Sequence, residues 1–201
     1  MVEFLLLRNV WFVTFLWGLV YLSDYYLTIY SAREFYGRLG KHIRFEGSYE
    51  LTPAFEKDID RLRLFSPAFF SRLLISLALI PAIFYISLYL FEDVFLYLFL
   101  IGALFLRGVA IHMRHLRNIS MAVLTRQPGS MRGEIAYSRW LNLRMSALEL
   151  LGFGVFFLIA AAIDRSWFFL GGGIITTITG FQHWLMTRKL KPALPAAETI
   201  Q

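Results

Sequence analysis

Long apolar runs alternate with short charged segments along the chain. A helix crossing a bilayer needs about 20 mostly apolar residues to span a hydrocarbon core of about 30 Å. Five runs meet that length: 10–30, 68–90, 94–111, 143–163 and 167–187. The first contains Asp24. The second opens with Ser66 as helix cap and Pro67 at the first helical position, and Pro81 predicts a kink inside it. The third begins at Val94, directly after Glu92 and Asp93, and carries Arg107. The fourth ends at Ile163, before the turn Asp164-Arg165-Ser166. The fifth runs into Arg188-Lys189-Leu190-Lys191, with Pro192 as its stop. The pattern therefore predicts an all-α, polytopic membrane helix bundle: one membrane domain over 1–191 and a loose tail over 192–201.

Composition removes the competing classes. Hydrophobic residues make up 58% of the chain and charged residues 17%, against roughly 45–50% and about 25% in soluble domains. Mean hydropathy is +0.58. A soluble core of 201 residues has too little interior for that many apolar side chains, and the excess would lie in water as large patches. This excludes a soluble enzyme, a disordered chain and a nucleic-acid-binding module. Cysteine is absent, so disulfides, thiolate metal sites and thiol nucleophiles are excluded too. The first run is longer than a signal-peptide core, and Glu3 interrupts its basic flank, so it is expected to be an uncleaved span.

The net charge of +6 is distributed unevenly. The loop 33–66 holds Arg33, Arg38, Lys41, Arg44, Lys57, Arg61 and Arg63. The connection between spans three and four holds Arg114, Arg117, Arg126, Arg132 and Arg139, and the segment after span five holds Arg188, Lys189 and Lys191. The opposite side carries Arg8, Arg165 and the acidic Glu92-Asp93. The positive-inside rule then predicts N-out/C-in topology in a cell (inner) membrane, with both large loops cytoplasmic. Only Lys41, Lys57, Lys189 and Lys191 are lysine, so sixteen of the twenty basic residues are arginine. Arginine grips phosphate and carboxylate bidentately. Anionic lipid headgroups are the expected partner, alongside a possible homo-oligomer or membrane-complex partner and no nucleic acid.

Two cytoplasmic elements are expected. Thr52-Pro53 followed by Phe55, Ile59, Leu62 and Phe65 predicts an amphipathic helix on the membrane surface or under the bundle, and residues 42–47 before it read as irregular or a short strand. Spans three and four lack a strong breaker outside Gln127-Pro128-Gly129-Ser130, which predicts an extended helical hairpin projecting from the membrane.

Polar residues inside spans are costly and face the bundle interior. Thr14, Tyr21, Asp24 and Thr28 share one face of span one. Arg107 and Arg114 align on span three, with His112 beside them. Arg139, Asn142, Ser146 and Glu149 share a face of span four, and Gly172, Thr176, Thr179 and His183 a face of span five. Span two offers isolated serines and Tyr85, and is expected to face lipid. In the predicted orientation Asp24, Arg107, His112, Glu149 and His183 fall at one depth, near the cytoplasmic face. The expected site is a polar, hydrated cavity with binding residues Asp24, Thr28, Arg107, His112, Arg114, Asn142, Glu149 and His183. An Asp24–Arg107 ion pair is expected, with Glu149 beside His112 or His183. The alternative is a set of charge pairs that fixes helix register and does no chemistry.

Catalytic signals are absent. No zinc-protease motif or serine nucleophile elbow occurs. His115 and Asn118 loosely match a spacing found in some membrane proteases, without the paired glutamates such an enzyme needs. Gly171-Gly172-Gly173 has no following lysine and reads as a close-packing face rather than a phosphate loop. His112 and His183 could in principle ligate haem, but single histidines near an interface more often form hydrogen bonds, and no cofactor or metal is expected. His42 and His115 are expected to be solvated.

Asp24-Tyr25-Tyr26-Leu27-Thr28 and Glu46-Gly47-Ser48-Tyr49-Glu50-Leu51-Thr52-Pro53 together resemble a family of uncharacterised prokaryotic multi-pass proteins with a D-x-x-L-T…E-x-x-P pattern. Thr52 stands where asparagine is commoner. The resemblance implies no activity, but it marks Asp24, Thr28 and Glu50 for test; Glu50 also suits a simple helix-capping role. Three functions stay open. The first is binding or permeation of a small ion, anionic solute or lipid headgroup. The second is an accessory or assembly subunit of a larger membrane complex. The third is a membrane-embedded enzyme acting on a lipidic substrate, with Glu149 and a histidine as acid–base pair.

Overall fold

The computed structural model describes residues 2–127 and 129–190; Pro128, Lys191, Pro192 and the rest of the tail lie outside the described residues. The chain is mostly helical. A short α1 (Val2–Arg8) leads into α2 (Val10–Tyr36), which Asn9 caps by accepting a 3.0 Å hydrogen bond from the Phe12 N–H. A loop with a short strand β1 (Ile43–Phe45) and a brief α3 (Glu56–Asp60) follows. Then come α4 (Pro67–Leu90), α5 (Phe95–Leu124), β2 (Ile135–Tyr137), α6 (Arg139–Asp164) and α7 (Trp167–Thr187). Serine hydroxyls cap three of these helices in the same way: Ser66 accepts from the Phe69 N–H, Ser138 from Leu141 and Ser166 from Phe169.

Four helices, α2, α4, α5 and α6, are long and apolar enough to cross a membrane. Their outer faces carry large apolar side chains in the open, such as Phe15, Leu74, Tyr89, Phe156 and Ile163. α7 has 21 residues, enough to reach about 31 Å at ~1.5 Å per residue. Its four glycines, four threonines, Gln182 and His183 interrupt its apolar residues.

Those small residues decide the packing. α7 lies between α5 and α6, which scarcely touch one another. A Cβ on Gly171 would lie 2.0 Å from the Phe99 carbonyl oxygen of α5, and one on Gly154 of α6 would lie 2.2 Å from Thr177 Oγ1 of α7. Backbones come this close only where one partner lacks a side chain. The expected hairpin of spans three and four is therefore corrected: α7 packs between α5 and α6 along most of their length, so these two helices meet in a few places only, through Arg114 and Arg117 on Glu149 and Ser146.

α2 and α4 pack on the other side of α5, around Val13, Trp17, Ile80, Tyr97 and Ile101. Trp17 Nε1 donates to Ser76 Oγ at 2.9 Å, so the indole N–H has a partner inside the bundle.

The connection after α5 also differs from expectation. Ile135-Ala136-Tyr137 does not continue a helix; it pairs in parallel with Ile43-Arg44-Phe45, in the register Ile43↔Ile135. Gly133, at φ 83, turns the chain into this strand, and the Ser138 cap starts α6 immediately after it. The surface helix is shorter than expected as well. α3 has 5 residues, and Leu62 at φ 50 ends it. Ile59 is buried against Tyr25 and Phe69, so this turn is tucked under α2 and α4. The two loops thus form a cap over one end of the bundle, clasped by a two-point Arg139–Glu56 ion pair with both contacts at 3.1 Å.

Candidate functional site

Under that cap the helices do not close. A cavity of about 330 Å³ lies between α2, α4, α5 and α7, and the loop residues Glu50, Leu51 and Thr52 close its capped end. A second cavity of about 230 Å³ lies between the cap and α5, α6. Thr28, Glu50, Leu51, Arg114 and His115 line both, so these residues form the partition between adjoining chambers. A volume above about 300 Å³ is of ligand-site size.

The structure brings most of the candidate residues to these walls. Asp24, Thr28, Arg107, His112, Arg114 and His183 line the first chamber, and Asn142 lines the second. Glu149 lines neither. It holds Arg114 from behind, accepting from Arg114 Nε at 3.3 Å, and it also pairs with Arg117.

The pairings differ from those expected. Asp24 does not pair with Arg107. Its Oδ1 lies 2.8 Å from Nε2 of His115, a residue expected to be solvated and in fact buried at 6% exposure. His115 falls eight residues after Arg107, on the same helical face, and that face meets α2. Thr28 gives its own proton to the Asp24 backbone carbonyl at 2.8 Å, and its Oγ1 lies 3.3 Å from the same His115 nitrogen. The Nε2–H of His115 therefore points between two acceptors, and its buried Nδ1 has no partner among the described residues.

Glu149, expected beside a histidine, is instead joined to His183 through two intermediates. Arg114 Nη2 donates to Ser146 Oγ at 2.5 Å, and Ser146 in turn lies 2.7 Å from His183 Nδ1. Ser146 thus links the Arg114 guanidinium to the His183 ring. His112 uses both ring nitrogens on protein atoms, the Gly108 carbonyl at 2.8 Å and Ser23 Oγ at 2.7 Å.

Arg72 belongs to the site and escaped the sequence reading, which took span two as lipid-facing. It sits in the second turn of α4, lines the first chamber, and lies 4.7 Å over the Phe55 ring. An arginine inside an apolar run was itself the signal. Among the described residues neither Arg72 nor Arg107 is within ion-pairing distance of a carboxylate, and the buried Nε of Arg107 has no hydrogen-bond partner. The first chamber thus presents two guanidinium groups without acids, while its one helical carboxylate, Asp24, is engaged by His115.

On the partition, Glu50 accepts from the Thr52 N–H at 2.6 Å. Burial pushes its carboxyl above the ordinary value of 4.5, with Asp24 adding to the rise and Arg114 and the Thr52 hydrogen bonds opposing it. Burial likewise pushes the neighbouring Tyr49 up to about 12, and Asn118 donates to its hydroxyl at 2.5 Å. Among the described residues no three of His, Asp and Glu converge closely enough to hold a metal ion.

Compared with protein-family models, curated proteins and solved structures, the chain shows no match. The likeness at Asp24–Thr28 and Glu46–Pro53 consequently assigns it to no family, and the site speaks through its geometry alone.

Proposed function

We propose that the protein is an integral membrane protein that binds an anionic group, a small anion or a lipid headgroup, in the capped cavity. The cap marks the cytoplasmic end of a five-span, N-out/C-in bundle. α7 is the fifth span in this reading: it lies between two helices of membrane-crossing length and has the reach to cross with them. The basic loops Arg33 to Arg63 and Arg114 to Arg139 then share the cytoplasmic side.

One observation carries the binding reading. Arg72 and Arg107 bring positive charge to a cavity whose helical carboxylate is already engaged by a histidine. Arg107 is half-buried and its Nε has no partner among the described residues. Charge held inside a bundle without a partner is costly, and an anion of phosphate or carboxylate type bridging it and the exposed Arg72 would relieve that cost through several charge-assisted hydrogen bonds. His183 lines the same wall and can turn a ring nitrogen toward such a ligand.

The test is native mass spectrometry of the protein extracted in mild detergent. An anionic adduct is expected on the wild type and is expected to be lost in both Arg72→Ala and Arg107→Ala. An adduct-free wild type, or an adduct indifferent to both changes, would refute the assignment.

The hydrogen-bonded Asp24–His115 pair favours a second reading, a membrane-embedded enzyme on a lipidic substrate, because a carboxylate that orients an imidazole is a common acid–base arrangement. Lipid profiling of cells carrying Asp24→Asn tests it: an accumulated substrate is expected if the pair turns substrate over, and an unchanged profile speaks for binding alone.

A further inference from the structure

A second basic site lies outside the cavity, where the α6–α7 seam reaches the capped end. The seam is narrow along its length: a Cβ on Gly180 would lie 2.9 Å from Leu151 Cγ and 3.2 Å from the Ala147 carbonyl oxygen. One turn further on, Arg144 of α6 takes the place of the small residues. Its guanidinium carbon lies 3.6 Å from the Trp184 ring centroid on α7 and 5.2 Å from that of Trp140 on α6.

Stacking of this kind satisfies the face of a guanidinium and leaves its N–H edge unanswered. No acceptor among the described residues takes a hydrogen bond from Arg144, its Nε is buried without a partner, and no carboxylate lies within ion-pairing distance. Arg188, four residues after Trp184 and so on the same side of the helix end, is exposed, and so is the adjacent Lys189. Below this cluster the two helices expose Leu148, Phe181 and Leu185. Two tryptophans, bare arginine edges and an apolar strip beneath them follow the order of a bilayer interface read from headgroup to acyl chain.

We propose that this end of the α6–α7 seam is a binding site for one anionic phospholipid. The phosphate would sit on the edge of Arg144 with Arg188 beside it, and the acyl chains would run along Leu148, Phe181 and Leu185. The site is separate from the cavity. Its positive charge complements the phosphodiester, and its exposed apolar strip gives the chains a surface that free phosphate could not use.

Delipidated protein in mild detergent is titrated with dioctanoyl phosphatidylglycerol, dioctanoyl phosphatidylcholine and inorganic phosphate, and retention is read by native mass spectrometry. Phosphatidylglycerol is expected to be retained over phosphatidylcholine and to resist displacement by millimolar inorganic phosphate. Arg144→Ala is expected to weaken its retention about tenfold, the loss of one good charge-assisted contact. Arg188→Ala leaves the tryptophan stack intact and so controls for misfolding; it is expected to weaken retention in the same direction. Arg132→Ala, at an exposed loop position outside both sites, is expected to leave it unchanged. Retention equal to wild type in both Arg144→Ala and Arg188→Ala would overturn the proposal. So would equal retention of the two lipids, displacement by phosphate, or loss in Arg132→Ala alone.

Discussion

The two halves of the bundle are built on opposite terms. α5, α7 and α6 meet through glycines, backbone against backbone, with no room for water. α2 and α4 meet α5 through large aromatic side chains that leave gaps, and the gaps toward the cap are lined with charge. Close packing of small residues gives rigidity in an apolar solvent, where van der Waals contact drives helix association. The looser side gives up some of that contact and gains a polar chamber. α5 belongs to both: Gly102 faces α7, while Arg107, His112 and His115 face the cavity. The rigid trio thus serves as the frame on which the cavity-facing side chains are mounted.

Changes on the dry side should have the largest effect. Gly171→Leu would drive a side chain into the Phe99 carbonyl, and a displacement of this kind costs at least the ~1–3 kcal/mol of an overpacked core. Loss of monodisperse protein, or a sharply lowered melting temperature in detergent, is expected; a variant as stable as wild type would mean that α7 is not wedged between α5 and α6. On the wet side Glu149→Ala comes next. It strips Arg114 and Arg117 of their shared carboxylate. Breaking a fully buried pair costs roughly 3–5 kcal/mol, and partial exposure here brings the expected loss down to about 2 kcal/mol. Thermal unfolding in detergent measures it, and an effect below that of a surface substitution would remove Glu149 from the network.

Asp24→Asn should cost less, about 1 kcal/mol, because the amide still accepts a hydrogen bond from His115. Its distinguishing signature is in His115: the chemical shifts of that ring should move on the change, whereas those of His112 should not.

The smallest effect concerns Glu50. Its folded carboxyl titrates above the ordinary value of 4.5, so the folded state holds a proton that the unfolded state has already released. Stability is then greatest below that ordinary value and falls as pH rises through the folded one. Glu50→Gln should flatten this decline over the interval above the ordinary carboxyl value. A wild-type profile that instead rises over the same interval would contradict the burial of Glu50.

Helix positions and the polar faces of the spans were readable in the sequence, because apolar length and the three-to-four-residue spacing of polar positions are local properties. Asp24, Thr28, Arg107, His112, Arg114 and His183 reached one chamber wall on that basis. Partner choice was not readable. Asp24 takes His115 rather than Arg107, since which face of α5 meets α2 depends on how α7 and α4 rotate and seat α5, and no periodicity within one helix encodes that. The β1–β2 pairing was hidden for a related reason. Three-residue strands far apart in sequence are specified by each other, and each alone resembles a loop or the start of a helix. Arg72 stood in plain view as the one charged residue of 68–90, but that it lines the chamber depends on how α4 seats against α2 and the loop, which no spacing within one helix encodes.

The absence of native cysteine makes every introduced thiol a unique reporter. Val20→Cys and Thr179→Cys place one on α2 and one on α7, both on the wall of the first chamber. Labelling with a membrane-impermeant maleimide from each side of sealed vesicles asks directly whether the intramembrane charges surround a water-filled space open to the cytoplasm. Both positions should react from the cytoplasmic face and stay silent from the other. Reaction from the outer face, or no reaction from either, would contradict a hydrated cytoplasmic cavity.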